Sequence, residues 1–380
     1  MPGIIGLYIH VPFCISKCPY CDFYSLTGQS QQEMESYTNA VIGSLEEWSS
    51  ILQDTAADTL YFGGGTPSLL GGSRLSRIIE TATRCFGLKH AEITMEANPG
   101  DSLDEVFSAF SASGGNRVSL GMQSADAEQL GFLGRRHNPQ DVHSAVAAAH
   151  SAGIDNISVD LMLGLKNQSI NSIITAASES FRLGVKHVSA YMLKIEEGTP
   201  FYHQRGKLSL PDDDDVAELY LAACQTLEAL GYKQYEISNF AIPGYESRHN
   251  LKYWNADPYL GIGPSAHSYI GGKRFFFPHD TESFIKGNQP ISERGMTECD
   301  QSFNIWDASE HEYMMLRLRL TEGLTNEGYR KRFGHPIPTA VYERAAGLPN
   351  QLLTADTDGI RFNKFGFLLS NTIIARLIEE

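Results

Sequence analysis

Three thiols, Cys14, Cys18 and Cys21, fall within eight residues at the spacing C-x3-C-x2-C, while Cys85, Cys224 and Cys299 lie scattered far downstream. Three thiolates on one tight loop can hold three irons of a [4Fe–4S] cube and leave the fourth iron without a protein ligand. A small molecule carrying an amine and a carboxylate can chelate that open iron. S-adenosylmethionine does so, and one electron from the reduced cluster then splits its sulfonium bond to give a 5′-deoxyadenosyl radical. The protein's part is position, burial and hydrogen bonds; the cofactor carries the chemistry.

A structural zinc site is the competing use of the same thiols. Such a site wants four ligands, often as C-x2-C pairs. No second pair is present, although His10 could complete the set. A disulfide would leave one of the three thiols unpaired on the same loop. Phe13, Tyr20, Phe23 and Tyr24 surround the cysteines with aromatic bulk, which suits a cluster shielded from water.

The elements that must position this loop are legible as alternation. Short β-rich runs at 5–9, 58–62, 92–96, 116–120, 156–161 and 187–192 are separated by helical patterns at 32–52, 73–86, 102–112, 125–132 with 139–152, and 169–183. Strand-then-helix units at this spacing predict a parallel sheet with right-handed crossovers. Six of them predict a barrel or partial barrel, with binding residues gathered at the C-terminal ends of the strands. The stretch 213–230 reads as a further helix, with Asp212 to Asp215 as solvated charge at the positive end of its dipole. Gly231 ends it and 232–239 resumes as a strand. From about residue 280 the repeating unit fades. Residues 307–320 read as an amphipathic helix, a loop-rich section around Pro336, Pro338 and Pro349 follows, and 365–378 reads as a last helix. The expected organisation is a barrel over 1–240, a connecting segment over 241–280 and a smaller C-terminal domain over 281–380.

Composition sets the outer limits. The chain has 380 residues, 42% of them hydrophobic and 20% charged, the balance of a soluble globular protein. A net charge of −15 speaks against a nucleic-acid binder, whose footprint is basic. No apolar run approaches the length of a transmembrane segment, and Met1-Pro2-Gly3-Ile4-Ile5 lacks the basic region of a secretory signal. Six cysteines in so long a chain are not a disulfide scaffold, so Cys85, Cys224 and Cys299 are expected as separate reduced or buried thiols. The expected compartment is the cytoplasm.

Several polar residues stand where the strands end. Gly63-Gly64-Gly65-Thr66-Pro67 follows the strand at 58–62; consecutive glycines let backbone approach a ligand closely, though a glycine turn needs none. Glu96 closes 92–96, where a carboxylate can accept from ribose hydroxyls or an amine, or simply face solvent before a turn. Gln123 leads out of 116–120 and can bond ribose or adenine. Arg135, in Leu133-Gly134-Arg135-Arg136-His137, offers a fork of donors matched to a carboxylate, against the ordinary alternative of exposed surface. Asp160 lies inside an apolar run, a costly place for an ionised carboxylate unless it faces a wet cavity such as a barrel mouth. Tyr8 and His10 lie two apart and so on one face of the first strand; both could be ordinary core.

Tyr-Ile-His-Val-Pro-Phe-Cys-x3-Cys-x2-Cys-Asp-Phe, at residues 8–23, resembles the radical-SAM branch that contains oxygen-independent coproporphyrinogen III dehydrogenases and heme chaperones. The likeness runs through nearly the whole chain. It implies an α/β fold, a radical-SAM partial (β/α)6 barrel with a smaller, mainly helical C-terminal domain. It implies a [4Fe–4S] cluster on Cys14, Cys18 and Cys21, and S-adenosyl-L-methionine held by Tyr8, Gly64, Gly65, Thr66, Glu96, Gln123, Arg135 and Asp160. Within that set Tyr8 lies near the sulfonium, the glycine turn at the methionine amine and Arg135 at the methionine carboxylate. The branch commonly has Gly-Leu-Pro-x-Gln after the acidic residue. This chain has Gly164-Leu165-Lys166-Asn167-Gln168, and losing the proline changes loop stiffness.

A second ligand is implied by Arg248-His249-Asn250-Leu251-Lys252-Tyr253-Trp254 and the segment 259–269, which match the heme chaperones. Their His-Asn-x-x-Tyr-Trp motif is associated with heme, which here implies His249, Asn250, Tyr253 and Trp254, with His249 as axial ligand and His267 as a weaker candidate. Imidazole is the usual protein ligand of heme iron, and the two aromatic faces suit a porphyrin. From the residues alone, aromatic packing and a histidine bonded to backbone is the simpler explanation. Three functions compete: a heme chaperone that passes heme to an acceptor hemoprotein, with an electron donor for its cluster; an enzyme that oxidatively decarboxylates two propionates of coproporphyrinogen III; and a cluster-bearing scaffold. The dehydrogenases usually carry a further cysteine two residues past the third. Phe23 stands there in this chain, which favours the chaperone.

Overall fold

The computed structural model describes residues 3–287, 297–298 and 308–378. Among them, twelve strands form one mixed sheet: β1 Ile4–Val11, β2 Ala56–Gly64, β3 Glu92–Ala97, β4 Arg117–Gln123, β5 Asn156–Leu163, β6 His187–Met192, β7 Lys233–Gln234, β8 Asn239–Ala241, β9 Tyr259–Ile262, β10 His267–Ile270, β11 Lys273–Phe276 and β12 Thr297–Glu298. Their spatial order is β12-β11-β10-β9-β1-β2-β3-β4-β5-β6-β8-β7. From β1 to β6 each strand lies parallel to its successor, as the alternation predicts. Strand β9 adds a further parallel neighbour to β1, so the 241–280 segment supplies strands to the main sheet.

The crossovers are α1 Gln31–Ile51, α2 Gly72–Phe86, α3 Asp104–Ala112, α4 Ala127–Phe132 with α5 Pro139–Ser151, and α6 Ile170–Arg182. Their boundaries follow from local chemistry. Ser30 and Glu33 form a capping box at the start of α1, and Asn138 with Asp141 does the same for α5, with Pro139 in the first turn. Along α1, Met34, Tyr37, Val41, Leu45 and Trp48 repeat every three or four residues and are buried against the sheet.

Strand alternation divides the molecule into an apolar layer and a polar lumen. Leu60 and Phe62, Ile93 and Met95, and Val118 and Leu120 are buried beneath the helices. The residues between them, Thr59 and Tyr61, Glu92, Thr94 and Glu96, and Arg117 and Ser119, share the opposite face, which the partial barrel encloses. Parallel strands usually read as near-continuous apolar runs; these do not, because one face of each lines a polar interior.

After β6 come α7 Pro200–Gln204, α8 Asp213–Ala229, α9 Arg248–Trp254 and α10 Thr281–Lys286. The expected strand at 232–239 is instead β7 and β8, paired antiparallel as Phe240↔Gln234 and Ala241↔Lys233. The chain must reverse between them, and Ile237 at the turn donates its N–H to the Arg319 carbonyl at 2.9 Å. The C-terminal portion contains α11 Ala308–Arg317, α12 Asn326–Phe333, α13 Thr339–Ala346, α14 Lys364–Leu368 and α15 Ser370–Ile378, with a small sheet of 324–325, 353–355 and 359–362. The single last helix expected at 365–378 is thus two helices that meet at Leu369. Cys299 lies outside the described residues, as does the start of the helix read at 307–320. Among the described residues no helix is long and apolar enough to cross a membrane.

The short helix α9 stoppers the end of the barrel where the strands begin. Glu92, the first residue of β3, accepts the backbone N–H groups of Arg248 and His249 at 3.1 and 3.0 Å. Lys252 pairs with Asp58 at 2.8 Å beside β2. Gly6 of β1 faces the same helix so closely that a Cβ there would stand 2.9 Å from Lys252 Cδ and 3.2 Å from His249 Cε1. Glu92→Ala should therefore lower stability by roughly 2 kcal/mol, since two buried helix-start donors lose their acceptor. A urea midpoint shifted down with an unchanged slope checks this; an unchanged midpoint would show that α9 is held by its side chains alone.

Candidate functional site

The cysteine loop lies across the C-terminal ends of β1 and β2 and is fastened on both sides. On one side Gly65 N–H donates to the Val11 carbonyl at 2.8 Å and Thr66 N–H to the Phe13 carbonyl at 2.7 Å. A Cβ at Gly65 would sit 2.6 Å from that Phe13 oxygen, so only glycine permits the approach. On the other side Phe201 N–H donates to the Pro19 carbonyl at 2.9 Å. Gly134, at φ +66°, turns beneath Pro19 with no room for a side chain. Tyr20 packs with Phe132 and Phe201 in a small apolar cluster of its own. His10 closes the base of the loop: its Nε2 is 2.9 Å from the Tyr24 carbonyl and its Nδ1 3.1 Å from the Tyr8 hydroxyl. Of the expected aromatic shield, Phe13 is buried, Tyr20 and Tyr24 are half-buried, and Phe23 points outward at 61% exposure.

All three thiols are free and half-buried. Two have donors aimed at their sulfur: Thr66 Oγ1 lies 3.6 Å from Cys14 Sγ, and Arg135 Nη1 lies 3.8 Å from Cys18 Sγ. Burial, then the neighbouring thiols, push Cys21 up to about 11, so its thiolate needs a cation's charge beside it. Donors to sulfur, partial burial and a single tight loop fit an iron–sulfur cluster, whose stability and potential depend on those features. Tetrahedral zinc would need a fourth ligand. Both His10 nitrogens are already bonded, and among the described residues no three His, Cys, Asp or Glu side chains converge on one metal ion. A cube distributes its protein ligands over separate irons and needs no such convergence.

Below the loop, the strand ends bring together most of the residues singled out from the sequence. Glu96 accepts from the Tyr61 hydroxyl at 2.8 Å and from Gly64 N–H at 3.2 Å; burial pushes it up to about 7. Tyr8 stacks against Tyr61 with ring centroids 6.2 Å apart, and burial raises its hydroxyl well above the usual range. Asp160 accepts from Ser119 Oγ at 3.4 Å, and burial raises it as well. Gln123 follows a register shift between β4 and β5 and takes φ +62°, a strained value for a non-glycine residue that re-aims its side chain at the strand end. Arg135 reaches the same mouth, where its Nη2 donates to Asn98 Oδ1 at 2.5 Å and to the Gly121 carbonyl at 2.8 Å. Arg136 points away and pairs with Asp101 at 2.6 Å.

Several functional positions escaped the sequence reading. Tyr61 and Ser119 carry the two carboxylates, and Asn98 links Arg135 to Thr66, to which it donates at 2.9 Å. Arg117 is 2% exposed, and its guanidinium favours the ionised forms of Glu96 and Asp160. Two-residue alternation puts Arg117 and Ser119 on one face of β4, but what brings them and Tyr61 beside the carboxylates is the register between strands, which the sequence does not display.

The His-Asn-x-x-Tyr-Trp segment reaches the same lumen from below, where the His249 ring stacks on Tyr61 with centroids 5.2 Å apart. It is α9, at the opposite end of the barrel. His249 is buried with Nδ1 2.8 Å from Thr59 Oγ1 and Nε2 2.8 Å from the Tyr253 hydroxyl, and burial lowers it to about 3. Tyr253 packs edge-on to Tyr259, while Asn250 and Trp254 are half-buried on the same helix. Both ring nitrogens are hydrogen-bonded in this arrangement, so ligation of an iron by His249 would require it to give up Thr59 or Tyr253.

Residues 8–179 match the model of the radical SAM superfamily. The heme chaperone HemW of Mycobacterium tuberculosis is 36% identical over 387 residues, covering 100% of this chain and 96% of that protein. The proteins of that name from Escherichia coli and Bacillus subtilis are 36% and 34% identical over 382 and 381 residues, covering 99% and 98% of this chain and 98% and 99% of theirs. Among solved structures, E. coli coproporphyrinogen III oxidase, HemN, a radical SAM enzyme, superposes with a TM-score of 0.82, covering 99% of this chain and 90% of its own. Its identity is 20%, so it establishes the fold alone. The barrel, its cysteine loop and this full-length kinship together mean that the chain belongs to the HemW family of the radical SAM superfamily.

Proposed function

We propose that this protein is a radical-SAM-type heme chaperone. It holds a [4Fe–4S] cluster on Cys14, Cys18 and Cys21, binds S-adenosylmethionine at the barrel mouth, and binds heme for delivery to an acceptor hemoprotein in the cytoplasm. The observation that carries this reading is end-to-end similarity to relatives named as heme chaperones. The outward-facing Phe23, in place of a further cysteine, accords with it.

When bound, the cluster supplies an electron, received from a separate donor, to the sulfonium of S-adenosylmethionine. The residues of this chain bind and orient. Arg135, braced through Nη2 by Asn98 and Gly121, would hold the methionine carboxylate with its remaining N–H groups. Glu96 and Asp160 supply acceptors to the amine and ribose, and Gln123 supplies an amide to the nucleoside. Tyr8 would stand beside the sulfonium. Gly64, Gly65 and Thr66 serve twice: they bring backbone to the methionine amine, and they seat the loop that carries the cysteines.

Anaerobic reconstitution followed by heme loading and transfer to an apo-hemoprotein tests the function. The expected result is a Soret shift on loading and holo-acceptor on mixing. Conversion of coproporphyrinogen III to protoporphyrinogen over many turnovers would replace the proposal with the decarboxylase reading. Cys14→Ser, Cys18→Ser and Cys21→Ser should each lose most cluster iron, and iron content equal to wild type would remove these ligands.

Glu96 also makes the cofactor site pH-dependent. Its folded pKa, about 7, lies above the ordinary 4.5, so the native protein binds more protons between those values. This group therefore lowers folding stability as pH rises through that window. Only its ionised form is a full acceptor, so S-adenosylmethionine affinity should rise roughly tenfold between about pH 6 and about pH 8. Calorimetric titration with Glu96→Gln should give a flat profile; a profile as steep as wild type would place the titrating group elsewhere.

A further inference from the structure

Three side chains at the barrel mouth form one continuous hydrogen-bonded chain between two of the three thiols. Arg135 donates from Nη1 to Cys18 Sγ at 3.8 Å and from Nη2 to Asn98 Oδ1 at 2.5 Å. Asn98 Nδ2 donates to Thr66 Oγ1 at 2.9 Å, and Thr66 Oγ1 donates to Cys14 Sγ at 3.6 Å. The three come from separate elements: Thr66 follows β2, Asn98 follows β3 and Arg135 follows α4.

Chemistry fixes the direction of every bond. A guanidinium can only donate, so the amide oxygen of Asn98 must face Arg135 and its nitrogen must face Thr66. Thr66 accepts that N–H and keeps its single proton for sulfur. Each link polarises the next, so the bonds strengthen one another. Asparagine suits the middle position because one flat group accepts on one side and donates on the other. Leucine, of similar shape, does neither, and aspartate cannot donate.

The ends of the chain are held firmly. Thr66 is 2% exposed, with its N–H tied to the Phe13 carbonyl, and Arg135 Nη2 also rests on the Gly121 carbonyl at 2.8 Å. Cys18, Asn98, Gly134 and Arg135 border a recess of about 20 Å³, room for one water. Hydrogen bonds to thiolate sulfur stabilise the electron-rich, reduced cluster and so raise its potential. Resting on the cluster and cofactor assignments above, we propose that Asn98 is a positioning residue that sets the cluster's reduction potential. It does so by joining Arg135, the anchor for the cofactor carboxylate, to the Cys14 side of the loop. A carboxylate arriving at Arg135 is then felt at two cluster ligands, at Cys18 directly and at Cys14 through Asn98 and Thr66.

Redox titration of the reconstituted, cofactor-free protein, followed by electron paramagnetic resonance, tests the chain. Asn98→Leu fills the gap and keeps water out, so melting temperature and iron content should match wild type. At a fixed solution potential its reduced-to-oxidised ratio should fall about tenfold, equal to about 59 mV for one electron. Thr66→Val, which deletes the hydroxyl alone, should move the ratio the same way. In the Thr66→Val background, Asn98→Leu should change the ratio by about threefold or less, because its route to Cys14 is already cut. Additive shifts would mean independent contacts and overturn the chain. A wild-type potential in Asn98→Leu would remove Asn98 from this role and leave the chaperone reading standing. If Asn98→Leu melts early or loses iron, Thr66→Val decides, and an unchanged potential there overturns the proposal. If wild type takes up no cluster, the proposal falls together with the cluster assignment.

Discussion

Two backbone hydrogen bonds, from Gly65 to Val11 and from Thr66 to Phe13, set the position of the cysteine loop over the barrel. Everything the cluster could do depends on that placement, because its open corner must face the strand ends where Glu96, Asp160 and Arg135 converge. The fastening is made by main chain, and the Cβ that Gly65 lacks is what allows it. Gly134 beneath Pro19 plays the matching part on the far side of the loop. A loop seated by backbone contacts on both sides keeps its geometry whatever happens to the exposed side chains between the cysteines, such as Ile15.

The loop can be held so firmly only because the barrel beneath it is stiff, and that stiffness has a cost. Arg117, Glu96 and Asp160 sit in a lumen that an apolar core would fill more favourably. Attraction of Arg117 for the two carboxylates, which repel each other, offsets part of the desolvation, and Tyr61 and Ser119 satisfy part of the rest. Arg117 Nε, Thr94 Oγ1 and Asn156 Oδ1, neighbours in register across β3, β4 and β5, are buried without a hydrogen-bond partner among the described residues. Stability comes instead from the outer layer, where Leu60, Met95, Leu120 and their neighbours pack under the helices. The polar lumen is retained for what it can bind.

The division between what the sequence discloses and what it hides follows contact distance. The three cysteines lie within one loop, and each strand and helix of the β1–β6 repeat is specified by its own residues, so spacing and alternation suffice to find them. Phe23 neighbours the cysteines in sequence, which suggests a shield, yet nothing local fixes which way an aromatic side chain turns. His249 shows the same limit at longer range. Its acceptor Glu92 is 157 residues away and its partner Thr59 is 190 away, so no local pattern could show that the motif closes the barrel floor. Arg117 carries no local mark of its role, because burial of a charge depends on where neighbouring strands lie. The glycine turn was recognised, but its first task, carrying the cysteine loop, is a contact between strands that spacing cannot express.

The position of α9 also bears on how cargo can be held by a protein that must let it go. Freeing a nitrogen of His249 would orphan Thr59 or Tyr253 inside the barrel, at about 1–3 kcal/mol for each buried group left unpaired. It would also pull on the helix that Glu92 holds by its first N–H groups. Loading and release would then be coupled to loosening the end of the barrel, and through the parallel strands to the geometry at the mouth.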